Sequence, residues 1–246
     1  MNATLAVVIA VAALASFAQG ITGFGFALIA VPFLVLVVDV REAVVMSTLL
    51  GLVNVALLAA RLWRATPWRT VGWLLLGSFA GMPLGLAVLI FTPEDGLRLT
   101  VGVVTVVLAA ALASGKRVPF TGAASELAVG IVSGVLRTST SMSGPPVVIY
   151  LQGRGQSPDA FRAAMTTFFL VGGLISVGAF AGAHVITRRA IALSAAALPG
   201  VYLANLAGDR LARRFDPVTF RRLVLALLIA TALSGAGSSL QRLLAG

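Results

Sequence analysis

One stretch of the chain, residues 130–151, places polar side chains inside an otherwise apolar segment. It reads GIVSGVLRTSTSMSGPPVVIYL, so that one arginine, Arg137, is followed by five hydroxyl residues and a Gly-Pro-Pro step. A guanidinium group and hydroxyl groups are hydrogen-bond donors that suit an oxyanion. We therefore expect an anion site here, and its candidate residues are Arg137, Thr138, Ser139, Thr140, Ser141, Ser143, Gly144 and Pro145.

The prolines of this stretch predict a broken helix. Pro145 and Pro146 cannot donate backbone hydrogen bonds, so the apolar runs on either side cannot form one continuous helix. Either proline suits the first position of a restarted helix, and Ser143 or Gly144 suits its cap. The free N–H groups of the second arm would then point into the break, where a helix N-terminus attracts anions.

An alternative explanation for Arg137 is that it lies near a helix end and extends its charge to the membrane surface. Against this, a charge deep inside an apolar segment costs about 2.5 to 3.5 kcal/mol even on a mild insertion scale. Such a charge usually faces a cavity and a partner, which favours the intramembrane anion pocket.

The composition indicates a membrane protein. Of 246 residues, 59% are hydrophobic and 11% are charged, and the net charge of +10 comes largely from short loops between apolar segments. Basic loops next to a lipid bilayer need no nucleic acid to explain them. The chain has no cysteine and one histidine, so we expect neither a metal site nor a cofactor. The N-terminal 20 residues lack a basic leader region, and we expect them to belong to the mature structure.

Eight apolar blocks can be marked, and two of them contain a break. The blocks are 3–38, 42–60, 70–91, 99–114, 123–151, 162–186, 191–208 and 223–241. The first contains a glycine-rich break and the fifth contains the stretch above, so each is predicted to be a re-entrant helical hairpin. The arms of the first have about 16 residues and span roughly 24 Å, less than a hydrocarbon core of about 30 Å, and those of the fifth are expected to be shorter still.

The first break adds a second set of candidate site residues. Polar side chains and glycines within or next to it, together with one tyrosine beyond the second break, are expected to line the same pocket. They are Gln19, Gly20, Thr22, Gly23, Phe24, Gly25 and Tyr150. For other polar residues inside apolar blocks, such as Asn54 and Asn205, a hydrogen bond between helices is the favoured interpretation.

The two halves of the chain resemble each other. Residues 41–48 match residues 160–167 around a shared methionine, and residues 91–99 match residues 215–223 at Phe, Pro, Arg and Leu. We predict a duplication of about 120 residues, 1–118 and 119–246, in which each half is a hairpin plus three transmembrane helices. Each half of this all-α polytopic fold then has five membrane passes or dips. Because five is an odd number, the second half is inverted relative to the first. The inversion places most basic loops in the cytoplasm and both termini outside.

With both breaks in view, the chain resembles the TauE/SafE sulfite exporter family, also called the TSUP family of anion transporters. The resemblance rests on Gly20-Ile-Thr-Gly-Phe-Gly25 followed by an apolar run to Pro32, and on Gly144-Pro-Pro-Val-Val-Ile-Tyr-Leu151. It implies a secondary carrier, not an enzyme, in the bacterial cytoplasmic membrane. The substrates it implies are sulfite, sulfonates such as sulfoacetate, or related small sulfur-containing anions. The residues alone indicate only a small anion.

Two other functions fit parts of this pattern. A passive anion channel would use the same pocket, and the sequence does not report alternating access. An intramembrane serine protease would need Ser141 or Ser143 as nucleophile and His184 as base. His184 is predicted at the end of the sixth block, far from the serines, and a protease has no use for the duplication.

Overall fold

Helices make up all the regular structure in the part of the chain that the computed structural model describes, residues 2–115 and 121–212. The helices are α1 (Asn2–Thr22), α2 (Phe26–Leu34), α3 (Val40–Leu62), α4 (Trp68–Phe91), α5 (Glu94–Ser114), α6 (Ala123–Thr140), α7 (Gly144–Gln152), α8 (Pro158–Gly182) and α9 (Arg188–Ala212), with a 3₁₀ turn at Trp63–Ala65. The predicted all-α fold is confirmed for these residues. The eighth apolar block, 223–241, lies outside them.

Five of these helices, α1, α4, α5, α8 and α9, are long and apolar enough to cross a membrane. They contain 18-residue windows with mean hydropathy between 1.6 and 2.2. Side chains such as Leu84 and Phe91 of α4 and Leu203 of α9 are exposed on their surfaces. Exposed apolar side chains on apolar helices are what contact with lipid requires. The chain is a multi-pass membrane protein.

Both predicted breaks are present. The first lies between α1 and α2, where Gly23 and Gly25 have φ of 78° and 94°. The second lies between α6 and α7, where Ser141 has φ of 63°. A positive φ ends a right-handed helix, and glycine adopts it without steric cost.

The break in the first block begins later than predicted. Gly20 is still helical, and a Cβ added there would lie 2.5 Å from the carbonyl oxygen of Asn205 in α9. Gly20 therefore serves the close packing of two helices, not the break. In the second block Arg137 to Thr140 also stay helical, because hydroxyl side chains in apolar surroundings bond to the carbonyl one turn back without ending a helix.

The two helices that flank each break are unequal in length, whereas arms of about 16 residues were predicted for the first block. α1 has 21 residues and α2 has 9, and α6 has 18 residues and α7 has 9. Nine residues span roughly 14 Å at about 1.5 Å per residue. This is less than half of a hydrocarbon core of about 30 Å, so neither second arm can cross a membrane alone.

Helices of the two halves pack against each other in a reciprocal pattern. α1 packs along α9, α4 packs along α6, and α3 packs along α8, so the first helix of each predicted repeat lies on the fourth helix of the other. Small residues allow these contacts. A Cβ added to Gly134 of α6 would clash with the Ser78 carbonyl oxygen, and one added to Gly208 of α9 would clash with that of Phe17. Such close approach is typical of helix packing in membranes.

Candidate functional site

The first turns of the two short helices line one cavity. This cavity, the first cavity, has a volume of about 60 Å³, enough for several water molecules or a compact oxyanion. Gly25 to Leu28 of α2 and Ser143 to Pro145 at the start of α7 form part of its wall. Of the predicted site residues, it brings together Gln19, Gly25, Arg137, Ser141, Ser143, Gly144 and Pro145.

The start of α2 provides backbone donors to this cavity. The first helical hydrogen bond in this segment runs from Ile29 N to Gly25 O, 3.2 Å, so the amides of Phe26, Ala27 and Leu28 precede the point at which α2 bonds to itself. All three residues line the first cavity. Their N–H groups and the positive end of the helix dipole favour a negatively charged ligand.

The start of α7 provides fewer donors than predicted. Ser143 is the cap, as expected, but its side chain makes no capping hydrogen bond, and Gly144, not a proline, is the first helical residue. Pro145 and Pro146 follow at the second and third positions and have no N–H group. The dipole of α7 still points at the cavity, but two of its first three amides are missing.

Arg137 reaches the first cavity from α6 as a buried cation that has no acidic partner among the described residues. The residue is 4% exposed, its Nη2 donates to the Phe168 carbonyl oxygen at 3.3 Å, and its Nε has no hydrogen-bond partner in the described part of the chain. Its guanidinium carbon lies 4.5 Å from the centre of the Phe168 ring. A cation–π contact offsets only part of the cost of burying a charge.

The acidic residues nearest in sequence to Arg137 are occupied elsewhere. Glu126, at the start of α6, pairs with Arg154 and accepts a hydrogen bond from the Tyr150 hydroxyl at 3.2 Å. The other ion pairs among the described residues join Arg98 to Glu94, Arg162 to Asp209, and Arg189 to Glu42. In the same part of the chain, no three acidic or histidine side chains come together as a metal ion would require. None of the ion pairs among the described residues therefore includes Arg137.

A glycine on α8 makes room for the guanidinium. A Cβ added at Gly172 would lie 2.6 Å from Arg137 Cζ and 2.9 Å from its Nε. The guanidinium thus lies directly against the backbone of α8, between Gly172 and the Phe168 ring. Packing against these two groups accompanies the one hydrogen bond that the guanidinium makes with the described residues.

Three predicted hydroxyl residues turn away from the first cavity. Thr138 Oγ1 donates to the Met82 carbonyl oxygen at 2.7 Å, Ser139 Oγ to that of Val135 at 2.7 Å, and Thr140 Oγ1 to that of Leu136 at 2.9 Å. Ser141, by contrast, lines the cavity, and its Oγ lies 3.1 Å from Thr48 Oγ1. Residues 138–140 are helical, whereas Ser141 has a left-handed backbone conformation. Its hydroxyl therefore points in a different direction from theirs.

Thr22, Phe24 and Tyr150 of the predicted set do not line the first cavity either. Thr22 bonds within the first break, through its Oγ1, to the carbonyl oxygens of Ala18 and Phe24 at 2.8 and 2.6 Å. Phe24 packs against the apolar cluster that includes Phe168. Tyr150 is fully buried, and its hydroxyl accepts from Arg154 at 2.7 Å while donating to Glu126. It ties the end of α7 to the start of α6.

The structure adds wall residues that the sequence did not single out. Ser47 and Thr48 of α3 and Phe169 and Gly173 of α8 line the first cavity. Ser47 is 1% exposed, and its hydroxyl has no hydrogen-bond partner among the residues that the structure describes. The sequence did contain a signal for these helices. Met-Ser-Thr at residues 46–48 in α3 is repeated as Met-Thr-Thr at residues 165–167 in α8, and both helices line the first cavity.

A second cavity of about 70 Å³ lies on the other side of Gln19. Gly20 and Gly23 of the predicted set line it, together with Asn54 of α3 and Asp209 of α9. Gln19 borders both cavities.

Comparison with known proteins decides the family. A sequence model described as sulfite exporter TauE/SafE matches residues 8–235, most of the chain. The chain belongs to this family. It is a membrane transporter, not an enzyme, and the protease alternative is set aside. His184 lies beyond the end of α8, exposed and with φ of 55°.

Two relatives agree with this family. The chain is 26% identical over 229 residues to the probable sulfite/organosulfonate exporter TauE of Cupriavidus necator, covering 90% of this chain and 88% of that protein. It is 29% identical over 176 residues to the probable inner membrane transporter protein TsaS of Comamonas testosteroni, covering 70% of this chain and 73% of that protein. No solved structure matches the chain.

The glycine beside Arg137 provides a first prediction. Gly172→Ala places a methyl group where the guanidinium lies, and the flexible arginine side chain will move while the helices stay in place. Anion affinity should fall by about tenfold or more, since a hydrogen bond to a charged group contributes about 1.5 to 3 kcal/mol. Calorimetric titration of the detergent-purified protein with the anion measures this affinity. Gly178→Ala on the same helix, where a Cβ meets nothing within 4 Å, is the control. Equal affinities of the two variants would contradict this role of Gly172.

Proposed function

We propose that the protein is a secondary carrier of small sulfur-containing anions, such as sulfoacetate, other organosulfonates or sulfite, and that it binds them in the first cavity. The observation that carries the proposal is the buried guanidinium of Arg137, which has no acidic partner among the described residues and lines the same cavity as the N-terminus of α2. A buried charge in an apolar protein calls for a counter-ion, and here the substrate would supply it. The name of the Cupriavidus necator relative supports the chemical class.

The wall of the first cavity suits the head of a sulfonate. Donors reach it from the guanidinium, from the amides at the start of α2, and from the hydroxyls of Ser47 and Ser141. A sulfonate or sulfite head presents only acceptor oxygens, so each donor can find a partner. Leu52 and Phe169 add apolar surface that would cover a short carbon chain. The small volume disfavours ligands with a sugar or a nucleobase.

Alternating access would follow from the duplication. In our proposal 1–118 and 119–246 are inverted repeats, and their hairpin tips enter the membrane from opposite sides and flank the first cavity. The reciprocal packing of α1 on α9 and of α4 on α6 supports this arrangement. The protein would lie in the bacterial cytoplasmic membrane with both termini outside. Counterflow distinguishes this carrier from a passive channel, because only a carrier lets unlabelled internal substrate drive uptake of labelled substrate.

The role of Arg137 gives a second prediction. In proteoliposomes, Arg137→Gln should lower the affinity for sulfoacetate by about thirtyfold or more, since breaking a buried charge pair costs about 2 to 5 kcal/mol. Arg137→Lys should restore part of the loss, because it keeps the charge without the planar donor fork. Counterflow of labelled sulfoacetate at several concentrations measures the affinity.

The matched control is Arg64→Gln, which removes an exposed arginine next to α4. It should transport like the unmodified protein. Unchanged transport by Arg137→Gln would refute binding at the first cavity. A panel of sulfite, sulfate, sulfoacetate, taurine and acetate then tests the substrate class. Taurine carries an ammonium group that offsets the negative charge of its sulfonate, so at a site whose charged group is Arg137 it should bind more weakly than sulfoacetate.

The proposed topology gives a third prediction. Because the chain has no cysteine, single cysteines can be introduced at the exposed positions Ala65, before α4, and Arg188, at the start of α9. If α6 and α7 form a hairpin that enters and leaves on one side, these positions lie on opposite faces of the membrane. A membrane-impermeant maleimide applied to intact cells should label Arg188→Cys and spare Ala65→Cys. Labelling of both from one side would mean that the hairpin crosses fully.

A further inference from the structure

A pair of amide side chains separates the first cavity from the second. Asn54 Nδ2 donates to Gln19 Oε1 at 3.0 Å and to Ser16 Oγ at 3.1 Å. The three residues are buried, with 6% exposure for Gln19 and Asn54 and none for Ser16. Both N–H groups of Asn54 are thus used, and both point toward α1. Gln19 borders both cavities, while Asn54 lines only the second.

In the structure, the bond from Asn54 determines which end of the Gln19 amide faces the first cavity, while the Asn54 Oδ1 atom is buried without a partner among the described residues. The carbonyl oxygen is held by Asn54, so the NH₂ group is the end that remains. Among the described residues, no acceptor makes a hydrogen bond with Gln19 Nε2. Two N–H groups are then available to a ligand beside Arg137, which lines the same cavity. With the amide reversed, the carbonyl oxygen would face the anion and repel it.

We propose that Asn54 is a positioning residue that sets the polarity of the Gln19 amide, so that Gln19 offers donors and not an acceptor to the substrate. This inference rests on the proposed function, since it assumes that an anion occupies the first cavity. It gives Asn54 a role beyond joining two helices. An acceptor-only residue at position 54 would invert the amide and oppose anion binding.

The charged groups around the pair define the conditions of the test. Arg137 lines the first cavity and Asp209 the second, and Asp209 is paired with Arg162 at 2.7 Å. Methanesulfonate is a suitable probe because its head group stays ionised throughout the accessible pH range. Changes of its affinity with pH then report on the protein.

The decisive variant is Asn54→Asp, which has nearly the same shape. The ionised carboxylate of this variant can only accept, so Gln19 must turn its NH₂ group to it and present oxygen to the first cavity. At about pH 8, methanesulfonate affinity should fall by about tenfold to a hundredfold. As the pH is lowered toward about 5, the buried carboxyl gains a proton and can donate to Gln19 Oε1, and affinity should recover. The unmodified protein should show no such recovery.

Two further variants keep the test decisive. Asn205→Asp adds the same charge to the second cavity without a bond to Gln19 and should bind methanesulfonate like the unmodified protein. Gln19→Glu keeps the bond from Asn54 and places a carboxylate oxygen at the first cavity. It should show the same loss and the same recovery in acid, and it serves if Asn54→Asp does not fold.

Three results would overturn the inference: unchanged affinity of Asn54→Asp, a loss that acid does not reverse, or an equal and acid-reversible loss in Asn205→Asp. The last would mean that added charge alone explains the effect. Failure of the proposed function is visible separately, because the unmodified protein would then bind no sulfonate or Arg137→Gln would bind it unchanged.

Discussion

The buried guanidinium of Arg137 constrains the structure around the first cavity. Inside an apolar protein an arginine without an acidic partner is costly, and the contacts with the Phe168 ring and carbonyl oxygen meet only part of that cost. The rest is offset if the substrate is itself the counter-ion. The start of α2 and the unpartnered Ser47 hydroxyl then lie where the substrate's oxygens need donors. A site with donors and one cation selects for a small oxyanion.

Close helix packing makes this site possible. Gly172 lets the guanidinium lie against α8. Glycines of α4 and α6 bring those two helices into backbone contact, and this contact fixes the position of α6, the helix that contains Arg137. The breaks have the complementary role. Gly23 and Gly25 end α1 and aim α2 at the first cavity, and Ser141 does the same for α7. A rigid frame of paired helices thus holds two short, irregular segments at the site, an arrangement also typical of transporters with discontinuous helices.

Much of this could be predicted from the sequence, because broken apolar blocks have strong local signals. Proline and clustered glycine predicted both helix breaks, and Arg137 was identified by its cost inside an apolar segment. Features set by tertiary contacts were beyond reach. Gly20 belongs to the contact with α9 and not to the break, and the hydroxyls of residues 138–140 satisfy carbonyls of α4 and α6 instead of the cavity. Ser47 and Phe169 became visible only when α3 and α8 were brought together. The predicted repeat boundary at residues 118 and 119 and the inverted topology stay predictions.

The most direct test of anion binding at Arg137 is a crystal structure with 2-bromoethanesulfonate, which joins a sulfonate head to a short chain that bromine makes visible by anomalous scattering. We predict sulfonate oxygens at about 2.7 to 3.0 Å from the Arg137 guanidinium and from the amides at the start of α2. Bromine should lie against the apolar wall of the first cavity, near Phe169 and Leu52. An ordered ligand elsewhere in the protein, with Arg137 bound to a protein carboxylate or to water alone, would contradict binding at this site.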